Sequence, residues 1–279
     1  MLRALLLLVC AVWAFAQSGG TVFVITDAEG VAGICRQEQT EPTNPELQRL
    51  LTGEANAAVR GFLAAGASEV VVWDGHDGSR TLSASTIEPR ARLLMGPLGP
   101  TMLLERRLAA VAFLGQHARA NRERAVMAHS YSSLGIQKLT MNGREVGEIE
   151  TRTALAGWYG VPVIFLSGDQ AAAEDLRAIV PEAETAVVKE ALGYYNCVSM
   201  AAPAAQKLIE EKAAAAFRKR ASIMPYKISG PVTIETEYTT RNTLFPDSGL
   251  RPGMERTGPR TIRIKGKDFL EAWTLWSSR

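Results

Sequence analysis

Short apolar, β-rich runs alternate along the chain with helical stretches, and most of the runs end abruptly in polar residues. Thr21 to Thr26 (TVFVIT) predicts a buried strand that exits into Asp27-Ala28-Glu29-Gly30. Asn44-Pro45 supplies an N-cap and a first-turn proline for a helix over 45 to 65, with Gly66 placed to stop it. A second strand, Glu69 to Trp73, leads into Asp74-Gly75-His76-Asp77-Gly78, and a third, around Ala109 to Leu114, leads into Gly115-Gln116-His117. Asn142-Gly143 is a hairpin-type turn after Lys138 to Met141, followed by a helix over 146 to 159 and a buried strand over Val161 to Leu166. Pro203 opens an alanine-rich helix that runs to about Arg220. Beyond it, alternating strands at Val232 to Tyr238 and Thr261 to Lys265 precede a short amphipathic helix from Asp268 to Trp276.

This order predicts an α/β fold, a largely parallel sheet flanked by helices, with a smaller C-terminal α+β portion and a possible subdivision near residue 200. In such sheets ligands gather outside the carboxyl ends of the strands, where loops bring side chains from different strands together. Three exits carry residues able to bind a metal: Asp27 and Glu29 after the first strand, His76 after the second, His117 after the third. His129 ends another short apolar run (VMAH), and Glu148 opens a predicted helix, so both can join the same place. Each residue also has a plain reading, because Asp and Gly are common in turns and a lone His at a strand end is usually a surface residue. The convergence of several exits is what favours a site.

Composition sharpens the chemistry. With 31 Lys and Arg against 29 Asp and Glu the chain is nearly neutral, so it lacks the basic surface that nucleic acid requires. Three Cys, with no CxxC spacing, exclude a thiolate zinc site, and any metal must be held by nitrogen and oxygen. Carboxylates with imidazoles suit Zn²⁺ or Mn²⁺, with room for two ions sharing a carboxylate, and hydrolysis is the natural reaction of such a pair. Asp74 and Asp77 flank His76 as turn residues or as partners for its ring. Arg80, Arg119 and Arg152 are either anchors for a substrate carboxylate or solvated charges, and the Trp residues at 273 and 276 are packing residues.

The first residues read as an address. Arg3, then an apolar run from Ala4 to Ala16 closing on Ala14-Phe15-Ala16, fit a secretory signal peptide cut after Ala16. That run is shorter than the roughly 20 residues a bilayer span needs, so the expectation is a secreted or periplasmic protein without a stable membrane span. Cleavage leaves Cys35 and Cys197, which can pair or stay free.

The motifs TDAEG at 26 to 30, GEAN at 53 to 56, VVVWDGHDG at 70 to 78, FLGQHARA at 113 to 120, VMAHS at 126 to 130 and NGREVGEI at 142 to 149 resemble, in order and approximate spacing, those of the zinc-dependent D-aminopeptidase family. RPGMERTG at 251 to 258 and KDFLEAW extend the likeness more loosely. The resemblance implies two Zn²⁺ per chain, held by Asp27, Glu29, His76, His117 and Glu148, with His129 as the catalytic histidine, a nucleophile in the family's description and equally suited to acid/base work. It implies short peptides with an N-terminal D-residue, D-Ala especially, as substrates, D-Ala-containing peptidoglycan fragments among them for an exported enzyme. It also implies a homo-oligomer, the type member being a ring-shaped decamer. Two places depart from the family pattern. Glu150-Thr151-Arg152 stands where a small residue and an Asn are common, and Gly193-Tyr194-Tyr195-Asn196 replaces a more polar segment, so substrate choice is left open. The rival readings are a metal-dependent amidase or phosphatase, and a secreted metal or peptide binder without turnover.

Overall fold

A computed structural model describes residues 19–241 and 250–278; the expected signal peptide, with its cut after Ala16, lies outside the described residues. The strands and helices in chain order are β1 (Thr21–Thr26), α1 (Pro45–Ala64), β2 (Glu69–Trp73), β3 (Arg92–Leu94), β4 (Ala110–Gln116), β5 (Ile136–Met141), β6 (Arg144–Glu145), α2 (Glu148–Trp158), β7 (Val163–Asp169), α3 (Gln170–Arg177), β8 (Glu184–Gly193), β9 (Asn196–Ser199), α4 (Ala202–Lys219), β10 (Val232–Tyr238), β11 (Met254–Gly258), β12 (Thr261–Gly266) and α5 (Phe269–Ser277).

Seven strands form the main sheet in the order β3-β2-β1-β4-β7-β8-β9. All neighbours pair in parallel except the β8–β9 hairpin at one edge. The fold is therefore the expected α/β one, and the central strands read as unbroken apolar runs because both faces of the sheet are covered. β4 and β7 are buried along their whole length. Helix α1 starts where Asn44 accepts a hydrogen bond from the Glu46 amide, with Pro45 in its first turn, and lies against α4.

The second sheet, β11-β12-β10-β5-β6, is antiparallel. It departs from the expected C-terminal portion in its make-up, since β5 and β6 come from the middle of the chain, β5 pairing with β10 across about a hundred residues of sequence and β6 with β5 at the edge. The chain beyond residue 200 is divided between the two layers: α4 packs on α1 and β8, while α5 packs on β12, β10 and α2. One apolar cluster runs from Val22 in the main sheet to Trp276 in α5, so the layers share a core.

Cys35 and Cys197 form a disulfide with Cα atoms 6.3 Å apart, tying the loop after β1 to β9. The Gly33 amide adds a 2.8 Å hydrogen bond to Ser199 Oγ beside it. Among the described residues no helix is long and apolar enough to cross a membrane.

Candidate metal centre

The parallel strands β1, β2 and β4 end side by side, and their exits meet because two glycines allow close approach. Gly115 sits at φ +67°, and a Cβ there would lie 2.4 Å from the carbonyl oxygen of Asp27; a Cβ on Gly30 would lie 2.2 Å from that of Gln116. Backbone bonds close the contact, Asp27 N donating to Leu114 O at 2.8 Å and Gly30 N to Gly115 O at 2.7 Å. The result places Asp27 and Glu29 beside the residues that follow β4.

All six residues singled out in the sequence come together. His76 Nδ1 lies 3.1 Å from Asp27 Oδ1 and 3.7 Å from Glu29 Oε2. His117 Nε2 lies 3.5 Å from Asp27 Oδ2 and 3.7 Å from Glu148 Oε1. The His129 ring stacks on that of His117, centroids 3.8 Å apart. Two groups of potential ligand atoms, each with all members within 4.8 Å of one another, overlap at His117: Asp27, Glu29 and His117 form one, His117, His129 and Glu148 the other. Asp27, Glu29, His76, His117 and Glu148 are all buried.

The imidazoles are set in tautomer by backbone carbonyls, which only accept. His76 Nε2 donates to Thr40 O at 2.8 Å, His117 Nδ1 to Ala118 O at 2.8 Å and His129 Nδ1 to Met127 O at 2.8 Å. Each ring then presents its other nitrogen to the cluster, the arrangement by which a metal-binding histidine is oriented. The carboxylates are oriented too. Gln116 Nε2 donates to Asp27 Oδ2 at 2.8 Å and the Tyr131 amide to Glu148 Oε1 at 2.6 Å. Glu29 Oε2 and Glu148 Oε2 are buried and accept no hydrogen bond.

The electrostatics fit a cation site. Burial, and then the charge of Asp27 beside it, push Glu29 up to about 7. Burial would also raise Asp27, but the hydrogen bond from His76 and the charges of His117 and His76 outweigh it and hold the carboxyl well below the usual carboxylate range. His76 is drawn up to about 10, where burial is overcome by Asp27 and Glu29, and His117 up to about 9, where it is overcome by Glu148, Asp27 and Glu29. Crowded carboxylates thus draw protons onto the imidazoles, and bound divalent ions would displace those protons and leave the imidazoles neutral. His129 moves the other way, lowered by burial and by His117. Carboxylate oxygens and imidazole nitrogens without thiolates match the donor set of Zn²⁺.

Other candidates resolve differently. Asp74 does not reach a ring nitrogen; its Oδ2 accepts the amides of Thr81 and Leu82 at 2.8 and 2.9 Å and so shapes the loop bearing His76. Asp77 is exposed, with Oδ2 3.7 Å from His76 Nε2. Of the two alternatives for Cys35 and Cys197, pairing or staying free, the disulfide selects pairing. Arg80 is exposed, Arg119 pairs with Glu145 at 3.0 Å, and Arg152 is buried. Trp273 and Trp276 pack in the core as expected.

Two supporting residues have no motif of their own. Gln116 orients Asp27, and its only signal is its place between Gly115 and His117. Lys189, buried in β8, donates to the carbonyls of Glu29, Val31 and Ile34 and so pins the loop that carries Glu29; a single Lys within an apolar strand was the signal. The GEAN motif proves to be scaffolding. Glu54 Oε1 accepts the Ala32 amide at 2.8 Å, and Asn56 bonds Glu88 N and Thr86 O.

An α/β sheet whose strand exits gather buried carboxylates and oriented imidazoles defines a metal-dependent hydrolase. The family described as Peptidase M55, D-aminopeptidase, matches residues 21–278, and the chain belongs to it. The protein is a metallo-aminopeptidase. It is 29% identical over 259 residues to the D-aminopeptidase of Bacillus subtilis (strain 168), the match covering 90% of this chain and 93% of that protein. It is also similar to the solved structure of the Zn-dependent D-aminopeptidase DppA from Bacillus subtilis, described as a self-compartmentalizing protease. That match has a TM-score of 0.83 and 27% identity, over 92% of this chain and 96% of the other.

Proposed function

We propose that this protein is an exported, dinuclear zinc aminopeptidase that releases N-terminal D-residues, D-Ala among them, from short peptides, and that it works as a homo-oligomer, on the family pattern a decamer. The observation that carries the reading is the pair of ligand groups overlapping at His117. Five residues from four segments of chain, Asp27 with Glu29, His76, His117 and Glu148, supply oxygen and nitrogen donors for two ions, with His129 stacked on His117 beside them. Zinc is the metal of the similar DppA, and Mn²⁺ suits the same donors.

Bound there, zinc would supply Lewis acidity for the scissile carbonyl and for an attacking water. The chain's own residues do the rest. His129, with Nδ1 committed to Met127 O, has Nε2 available to take a proton from the nucleophile and return it to the leaving amine, or to attack directly. Its depressed basicity keeps that nitrogen free near neutrality. Gln116 and the Tyr131 amide hold Asp27 and Glu148 in place while charge develops nearby.

The Cys35–Cys197 disulfide supports export, since such bonds persist in oxidising compartments, and an exported enzyme would meet D-Ala-containing peptidoglycan fragments directly. Metal content per chain, measured by elemental mass spectrometry on protein from Gln17 onward purified without chelators, should approach two zinc or manganese. A panel of D- and L-aminoacyl anilides beside p-nitrophenyl phosphate should give turnover of the D-aminoacyl members alone. Metal-loaded protein that binds D-peptides without cleaving them would establish the binder instead, and phosphate-ester hydrolysis the phosphatase.

A further inference from the structure

The buried guanidinium of Arg152 is not accounted for by the metal centre. Arg152 is only 9% exposed, and its Nε and Nη1 atoms are buried with no hydrogen-bond partner. It makes no ion pair among the described residues. Burying a charge without a counter-charge costs several kcal/mol, and native structures rarely retain such a group unless a ligand completes it. Its setting is a pair of aromatic rings: Cζ lies 5.9 Å from the centroid of the Trp73 ring and 5.7 Å from that of Tyr131. The rings are themselves fixed. Trp73 Nε1 donates to Gly96 O at 3.0 Å, Tyr131 Oη bonds Thr151 Oγ1 at 2.6 Å, and Trp276 packs against Tyr131 at 4.6 Å between centroids. Guanidinium flanked by aromatic faces, with N–H donors left over, is pre-organised for a planar anion.

Arg152 and both rings sit on the segments that build the candidate metal centre. Arg152 follows Glu148 by one turn of α2, Trp73 ends the strand that leads to His76, and Tyr131 follows His129 by two residues. The Tyr131 amide donates directly to Glu148. Side chains one helical turn apart have bases about 5–6 Å apart. In a dipeptide the terminal carboxylate lies one residue beyond the scissile bond, and a residue spans roughly 3.8 Å. A substrate with its scissile carbonyl beside Glu148 therefore has the reach to set a carboxylate on Arg152.

We infer that Arg152 is a specificity residue that binds a carboxylate of the substrate on the leaving-group side of the scissile bond, selecting dipeptides with a free C-terminus over longer or amidated peptides. The inference rests on the aminopeptidase reading of the site. It also gives a physical role to one of the positions at which this chain departs from the family pattern.

The test compares D-Ala-D-Ala with its C-terminal amide on zinc-loaded enzyme. The acid should be preferred at least ten-fold in kcat/KM, chiefly through KM, and in Arg152→Gln that ratio should fall to under two-fold, with Arg152→Lys between. A third substrate, D-Ala-D-Glu with an amidated α-carboxyl, separates the sources: preference for it over D-Ala-D-Ala amide assigns Arg152 to an acidic side chain. A wild-type ratio near one for both acids overturns the proposal, and this comparison stands even where the variants do not fold. A ratio that survives in Arg152→Gln overturns it as well. Calorimetric binding of the same three peptides covers the case of no turnover. Absence of cleavage would then count against the aminopeptidase reading, whereas tighter binding of the acids would uphold the role of Arg152 and equal binding would refute it.

Discussion

His117 and His129 stack with ring planes 16° apart and centroids 3.8 Å apart, two imidazoles in contact within one cluster of acids. Two cations cannot share that contact cheaply, so the charge of one fixes the state of the other. His117, drawn up to about 9 by the surrounding carboxylates, or else bound to metal, leaves His129 neutral. The stack sets the two apart in surroundings, His117 facing Asp27 and Glu148, and on the proposed function His129 is the one that keeps a nitrogen for proton transfer.

Substitution distinguishes that role from metal binding. His129→Ala should retain the wild-type zinc content and lose about 10²–10⁴-fold in kcat, the range a general acid/base contributes. His117→Ala should lose both zinc and activity. If elemental analysis of His129→Ala showed one ion fewer, His129 would be a ligand, as its distance to His117 and Glu148 permits.

The parts legible in the sequence are those where local pattern and global position coincide. β1 and β2 fall on the residues expected because each is a short apolar run cut off by polar residues, and the same cut-offs display Asp27, Glu29, His76 and His117 at strand ends. Elements without that contrast went unread. β3 has three residues, β11 (MERTG) is mostly polar, and α3 follows β7 without a break, with Asp169 as its N-cap. Cys35 and Cys197 are separated by 162 residues, and nothing local records their pairing. Lys189 was hidden for a different reason: a charged residue in sequence reads as surface, and only the tertiary fold shows that carbonyls surround it. Arg152 was legible as one of two alternatives, anchor or solvated charge, and the fold decides against the second by burying it beside aromatic rings.

Glu54 gives the fold a pH dependence that lies away from the candidate metal ligands. Burial raises its carboxyl to about 7, opposed by the hydrogen bond from Ala32 and the charge of Lys189. An acid whose folded pKa exceeds its unfolded value near 4.3 contributes stability that is full below the unfolded value and is lost as pH rises through the folded one. Glu54→Gln keeps an oxygen for the Ala32 amide and removes the titration. Thermal melts should show the variant gaining on the wild type between pH 5 and pH 8, by about 1–3 kcal/mol. A difference that does not change with pH would mean that Glu54 is ionised throughout.

Lys189 joins the fold to the chemistry. Its ammonium donates to the carbonyls of Glu29, Val31 and Ile34, so one buried cation holds the backbone at Glu29 and along the loop that follows it. Burial lowers it to about 8, while Asp169, Glu54 and Glu29 act to keep it charged. Lys189→Met has nearly the same length and no donor. It removes the three hydrogen bonds and leaves Glu54 without its nearby positive charge. Removing one member of a buried charged network costs about 3–5 kcal/mol, so chemical denaturation should register a loss of that size. The loop would also lose its anchor, and zinc should be given up to a competing chelator at lower concentration than in the wild type. A variant destabilised by that amount yet holding zinc as tightly would show that Gln116 and the Gly30–Gly115 contact alone suffice to place the ligands, and Lys189 would then belong to the fold and not to the site.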